Sequence, residues 1–213
     1  MGHHAVTDYA SVASELKRAY DSKAEERDRK PVLGWRQALW AEFLQRLQAE
    51  NLASLLEIGA GTGQAGSYFQ EGGLKVVCTD LSPEMVRLCR AKGLEAYEMD
   101  FLHLDFPDDH FDGLFAQNCL LHVPKVDFAN VLQEIGRVVR PEGLIFILMH
   151  GGRSFEGVRE EDFYEPKRFY ALYADDELEL ILERYFQVLS FQVIVREESS
   201  ADSFQAVTLR NQS

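Results

Sequence analysis

The 213-residue chain predicts an α/β fold with a parallel sheet covered on both faces, and three observations carry that reading. Short apolar runs alternate with helical segments in a strand–helix rhythm. The run 144–149 is apolar throughout, as a strand buried on both faces requires. Two β-rich runs close the chain, a hairpin signature added to the parallel sheet.

The elements follow in order. A short helix is expected over 11–20, and a stronger one over about 34–48. There Trp35, Leu39, Phe43 and Leu47 recur every fourth residue, with Trp40 and Leu44 beside them. Leu55-Leu56-Glu57-Ile58 is strand-like and runs into a glycine-rich loop that feeds a helix. A second strand, 75–79, is closed by Asp80. Ser82 then suits an N-cap and Pro83 the first helical position, while Gly93 ends that helix. Strands are expected near 94–99 and over 111–117. The segment 127–139 is an amphipathic helix, with Phe128, Val131, Leu132, Ile135 and Val138 or Val139 on one side. Pro141-Glu142-Gly143 reads as a turn before the buried strand 144–149. Beyond His150 a polar, aromatic-rich stretch reaches Tyr173 and leads into a helix over about 175–184. The closing runs, 186–195 and 204–210, are joined by 197–203.

Bulk properties narrow the classes. A formal net charge of −13 repels phosphate backbones and anionic lipid, which argues against nucleic acid as a partner. Arg27, Asp28, Arg29 and Lys30 follow Glu25 and Glu26, a mixed-charge stretch expected to be solvated. No apolar run approaches the roughly 20 residues needed to span a bilayer, so no membrane association is expected. Met1-Gly2-His3-His4 does not open a secretory signal, and Val6 stands where myristoylation wants Ser or Thr. Cys78, Cys89 and Cys119 are scattered through apolar segments and read as reduced core thiols of a cytoplasmic protein, a monomer or homodimer.

The chemistry lies in Glu57-Ile58-Gly59-Ala60-Gly61-Thr62-Gly63-Gln64-Ala65-Gly66. Alternate glycines after a strand let the main chain turn sharply and let a ligand approach it closely. The helix that follows offers free N–H groups at its start. Asp80 ends the next strand, placed to accept both hydroxyls of a ribose, and in a doubly wound sheet the two loops meet at the switch point. Gly61-Thr62-Gly63-Gln64-Ala65-Gly66 also satisfies the dinucleotide fingerprint. Glu57 weighs against that cofactor, because a pyrophosphate beside a carboxylate meets like charge. S-adenosylmethionine (SAM) carries an ammonium and a sulfonium instead, which an acidic mouth favours. Tyr164-Glu165-Pro166-Lys167 lacks the Tyr-x-x-x-Lys spacing of a short-chain dehydrogenase. An NAD(P)-dependent oxidoreductase remains the lesser alternative.

Six segments in order then resemble the class I SAM-dependent methyltransferases, in their type 11/25-like, small-molecule branch. They are Glu57 to Gly63, Asp80-Leu81-Ser82-Pro83-Glu84-Met85, Glu98-Met99-Asp100-Phe101, Phe111-Asp112-Gly113-Leu114-Phe115, Leu121-His122-Val123 and Glu134 to Gly143. The resemblance covers about 52–149. It implies a Rossmann-like, doubly wound, seven-stranded sheet, parallel apart from a reversed final hairpin strand. It implies that Glu57, Gly59, Ala60, Gly61 and Gly63 border the methionine tail and that Asp80 holds the ribose. Leu81 and Met85 would pack near the adenine, Asp100 and Phe101 would border its amino edge, and Gln117 and Asn118 would lie under the methionyl part. The chain then reads as one domain over 1–213: N-terminal helices with a lid role in 1–50, a SAM-binding core in 52–150, and an acceptor-side segment with the hairpin in 151–213.

The expected reaction is in-line methyl transfer to a small-molecule acceptor, leaving S-adenosylhomocysteine (SAH). His122 and Tyr164 are the first candidates for a base where the acceptor carries a proton. Plainer roles compete: Glu57 as a cap on the following helix, Asp80 as a turn residue, Asp100 as one acid of an acidic loop, and Met85 as helix core. His103-x-Asp105 offers two metal ligands without a third, so no metal is expected. Arg153, Phe155, Phe163, Tyr164, Arg168, Phe169, Tyr170 and Tyr173, with Tyr9 and Tyr20, are expected to supply an aromatic wall or lid for the acceptor, or else an amphipathic surface element packed on the sheet. A non-catalytic SAM-binding scaffold or sensor is the other alternative.

Overall fold

The computed structural model describes residues 9–195 and 203–212. The expectations at Met1 to Val6 and for most of the connection 197–203 lie outside those residues. Seven strands form one sheet: β1 (Ser54–Ile58), β2 (Lys75–Asp80), β3 (Glu95–Glu98), β4 (Phe111–Gln117), β5 (Val139–Gly151), β8 (Phe186–Ile194) and β9 (Ser203–Asn211). Their order is β3-β2-β1-β4-β5-β9-β8. The first five are mutually parallel, and β9 lies antiparallel to both β5 and β8. The chain winds outward from β1 to β3 and then returns to β4 beside β1, so the strand order reverses between β1 and β4. Loops leaving the carboxyl ends of that pair open a crevice.

Alternation along the strands builds two cores. Leu56, Ile58, Leu114, Ala116, Ile145 and Ile147 face one side, against α6 (Lys125–Val138) with its buried Phe128, Val131, Leu132 and Ile135. Leu55, Phe115, Leu144, Phe146 and Leu148 face the other, against α3 (Gly34–Ala49) and α4 (Gln64–Glu71). The fourfold spacing read from α3 is the face it buries. Phe43 carries the contact, with its ring centroid 5.4 Å from Phe146, 6.0 Å from Phe115 and 6.2 Å from Phe69.

α5 (Pro83–Ala91) starts as expected, with the Ser82 hydroxyl accepting from the Met85 N–H at 3.1 Å. Gly93 ends it at φ +80°. The first expected helix is α1 (Tyr9–Asp21), and the helix expected over 175–184 is α7 (Asp175–Leu182). Two elements had no periodic signal: the five-residue α2 (Ala24–Asp28), and a separate hairpin of β6 (Phe155–Val158) with β7 (Phe169–Leu172). The turn expected at 141–143 is a bulge inside β5. The pairing slips between Phe111 and Gly113 on β4, and Glu142 adopts φ +66° to absorb the extra chain.

Because Phe43 ties α3 to rings on β4, β5 and α4, its truncation leaves a cavity the layer cannot close. Phe43→Ala is expected to lower unfolding stability by about 3–5 kcal/mol in a urea titration. A loss under about 1 kcal/mol would mean that α3 is not anchored through this ring.

Candidate cofactor and acceptor site

The glycine loop at the end of β1 owes its shape to three left-handed residues, Gly59 (φ +59°), Gly61 (φ +57°) and Gly63 (φ +78°). Their surroundings differ. A Cβ on Gly59 would lie 2.3 Å from Cys119 Cβ, and one on Gly63 would lie 2.8 Å from Leu94 Cδ1, so these two glycines let the loop close against protein. A Cβ on Gly61 would meet nothing within 4 Å, so this glycine opens onto free space. The loop is pinned from β2. The Gly61 N–H donates to Asp80 Oδ2 at 2.8 Å, and the Ser82 N–H donates to Oδ1 at 2.9 Å. Each carboxylate oxygen keeps a free lone pair towards the crevice.

An open cavity lies over this clamp. Gly59, Gly61 and Asp80 line one side of it, and Leu81, Met85 and Phe101 supply apolar walls. Gln117, Asn118 and His122 border its far end. A second space of about 500 Å³ continues past Glu57, Ala60 and Thr62 and also touches Gln117. The structure therefore brings together ten of the twelve expected cofactor residues along one crevice.

Two expected contacts fall elsewhere. Gly63 turns inward as the N-cap of α4, against Cys89 and Leu94. Asp100 closes its own loop, with Oδ1 accepting from the N–H groups of Leu102 at 2.8 Å and His103 at 3.0 Å. Its neighbour Phe101 takes the place on the cavity wall. Among the described residues no cluster of metal-ligating side chains forms.

Glu57 departs from its expected role as an open, charged lip. It is 3% exposed and lies beneath the first turn of α4, where it accepts from the Gly66 N–H. The Cys78 thiol donates to its Oε2 at 3.6 Å. Burial pushes its carboxyl up to about 8, so in this state it is neutral at pH 7. The plainer role, satisfying a free donor at a helix start, is thus part of what it does. Burial also raises Asp80, to about 6, against two N–H bonds and the nearby Arg27 that favour its charge.

A third space, about 570 Å³, adjoins the crevice at Gln117, Asn118 and His122, and Arg168, Tyr170 and His150 line its outer part. His122 is buried between two partners. Its Nδ1–H donates to the Phe169 carbonyl at 2.6 Å, because a carbonyl can only accept, and its Nε2 accepts from the Tyr20 hydroxyl at 2.7 Å. Burial lowers His122 to about 3, with Arg168 and Arg27 adding repulsion. The imidazole is a neutral strut. Tyr164, the other base candidate, lines none of these three spaces; its hydroxyl accepts from Arg27 Nη1 at 2.9 Å, and Arg168 stacks 3.8 Å from its ring centroid.

Arg27 and Trp40 escaped the sequence reading of the site. Arg27, read as part of a solvated charge run, points inward from α2 and borders all three spaces. Trp40 on α3 donates from Nε1 to Gln117 Oε1 at 2.8 Å and so fixes that amide. Asn118, at φ +52°, keeps a buried Oδ1 with no hydrogen-bond partner.

Comparison with known proteins fits that arrangement. Residues 56–147 match the model of the methyltransferase domain family. That segment, less than half of the chain, resembles a class I SAM-dependent methyltransferase domain. It is similar to methyltransferase GfsG of Streptomyces halstedii, 27% identical over 67% of this chain and 56% of that protein. It is also similar to a malonyl-[acyl-carrier protein] O-methyltransferase of Halorhodospira halophila, 28% identical over 68% of this chain and 50% of that one. It thus spans about half the length of these relatives. The fold matches a Burkholderia thailandensis 1,6-didemethyltoxoflavin-N1-methyltransferase solved with its substrate and SAH (TM-score 0.75, 22% identity, 100% and 94% of the two chains). It also matches the [4+2]-cyclase SpnF (TM-score 0.70, 17% identity, 94% and 97%).

Raised carboxyls make the domain's stability pH-dependent. A folded value of about 8 for Glu57, above its ordinary 4.5, favours the fold at low pH, and that contribution is lost as pH rises through about 8. Glu57→Gln is therefore expected to gain melting temperature relative to wild type as pH goes from 4.5 to 8. Parallel melting curves across that range would show that the carboxyl titrates normally.

Proposed function

We propose that this protein transfers a methyl group from SAM to a small-molecule acceptor, with the cofactor along the crevice and the acceptor in the space beyond His122. The observation that carries the reading is the Gly61–Asp80–Ser82 clamp, set at the strand-order reversal with apolar walls on one side and polar groups on the other. The residues suit the cofactor. Asp80 has lone pairs for the ribose hydroxyls, and Leu81, Met85 and Phe101 form a slot for a flat base. Glu57, Ala60 and Thr62 border the space for the amino-acid end, and the unpaired Asn118 Oδ1 awaits a donor. An ammonium approaching Glu57 would draw its raised value down and restore the charge.

SAM supplies an activated methyl on a sulfonium, displaced in line so that sulfur leaves neutral. The protein's task is then alignment and exclusion of water, and positioning alone is worth about 7–11 kcal/mol of barrier. Gln117, held by Trp40, and Asn118 border both the crevice and the outer space. His122 holds Tyr20 across the same junction. With both ring nitrogens engaged, His122 orients rather than deprotonates, and Tyr164 lies outside the crevice. A general base is therefore not assigned to either residue. The three buried free cysteines support the cytoplasmic setting expected from the sequence. Among the described residues no helix is long and apolar enough to cross a membrane.

The likeness to a [4+2]-cyclase favours a second reading, in which the same fold keeps the cofactor without methyl turnover. Calorimetry with SAH tests what both share. Wild type is expected to bind SAH, and Asp80→Ala and Gly61→Val each to weaken binding by about tenfold or more, with unchanged circular dichroism. A folded wild-type protein that takes up neither SAM nor SAH would end both readings. Release of SAH over an acceptor library separates them, and Tyr164→Phe is expected to retain the wild-type rate.

A further inference from the structure

The outer space has a charge opposite to that of the chain around it. The chain is acidic, at −13, yet Arg27, Arg36 and Arg168 line this space together with His122 and His150, and among the described residues no aspartate or glutamate does. Arg168 is balanced from behind: its Nη2 donates to Asp162 Oδ1 at 2.7 Å, and its Nε to Oδ2 at 3.0 Å. Arg27 is not balanced in that way. Its Nη1 donates to the phenol of Tyr164 at 2.9 Å, and its guanidinium lies 5.2 Å from the Tyr20 ring centroid. Both are neutral groups. The carboxylates that act on Arg168 and Arg27 are Asp162 and Asp80, and neither lines the outer space, so a ligand anion there meets guanidinium donors whose planar fork can hold it through two parallel bonds.

We propose that the acceptor is an anion, a small molecule whose carboxylate or phosphate group is received by the arginines of this outer space. The inference rests on the methyl-transfer reading and names the substrate class for it. Arg27 and Arg36 also border the space beside Glu57, where the cofactor's own carboxylate would lie. Arg168 and His150 border the outer space and not that one. The anion therefore belongs at the Arg168 end, with the rings of Tyr20 and Tyr170 as walls on the way to the crevice. Tyr20 is tied into the same end, since its hydroxyl accepts from Arg168 Nη1 at 3.2 Å while donating to His122.

Matched probes test this on the wild-type protein saturated with SAH. Calorimetry compares 4-hydroxybenzoate with 4-hydroxybenzamide, and phenyl phosphate with phenol, so that the two arms also distinguish a carboxylate from a phosphate. The anionic member of at least one pair is expected to bind about tenfold tighter than its neutral mate. Replacing the buried pair together, Arg168→Gln with Asp162→Asn, is expected to abolish that preference and leave SAH affinity unchanged. Should the double variant fail to fold, the wild-type comparison decides alone. Intact SAH binding without an anion preference in either pair overturns this proposal only. A preference that survives the double variant overturns the placement of the anion at the Arg168 end. Absence of SAH binding overturns the methyl-transfer reading and this one with it.

Discussion

A single carboxylate organises the crevice. Asp80 ends β2, and its two oxygens take the N–H groups of Gly61 and Ser82 from two different loops. That contact holds the glycine loop against the start of α5 and leaves lone pairs facing the cavity. Its cost is visible in the carboxyl's raised value, about 6, which records how far burial opposes the charge. The position would be expensive were it only structural, because a neutral turn residue could join the same loops without desolvating an ion. A ligand that donates two hydroxyls to this group would recover part of that cost.

The second organising contact runs outward from the crevice. Asp162 holds Arg168, Arg168 donates to Tyr20, and Tyr20 donates to His122, which in turn donates to the Phe169 carbonyl of β7. The chain joins α1, the 3-10 turn after β4 and the small β6–β7 hairpin. All three lie outside the seven-stranded sheet, and each is tied to the junction between cofactor and acceptor spaces. A neutral imidazole suits this position, since a charged one would add to the repulsion between Arg27 and Arg168.

Legibility in the sequence divides along the same line. The sheet, α3, α5 and α6 were readable because each depends on local periodicity, caps and glycines, and the clamp was readable because Glu57, Gly61 and Asp80 lie on two adjacent strand ends. Arg27 was not readable. Its helix spans five residues, too short for a periodic face, and its charged neighbours look like any solvated run. Its hydroxyl partner, Tyr164, is 137 residues away, and that pairing also removed Tyr164 from the crevice. Glu57 was placed correctly along the chain but not in depth. Sequence spacing puts a carboxylate at a strand end without saying that α4 will close over it, and depth decides whether the group is charged.

An acidic chain that receives an anion looks self-defeating until distance is considered. The −13 is a sum over the whole molecule, and most of the acids lie on the surface in contact with salt. Screening over about 8 Å at physiological ionic strength leaves little of that repulsion at the mouth of the outer space. Within the space the balance reverses. Arg27, Arg36 and Arg168 act at contact distance, partly desolvated, where the effective dielectric is far below that of water. The surface charge then sets a modest penalty on arrival, while the local guanidiniums set what stays. That ordering also disfavours a polyanion, whose length would keep many phosphates against the acidic exterior while only one reached the arginines. A small acceptor with one or two charges escapes that penalty, so the proposed substrate class and the expectation against nucleic acid draw on the same distribution of charge.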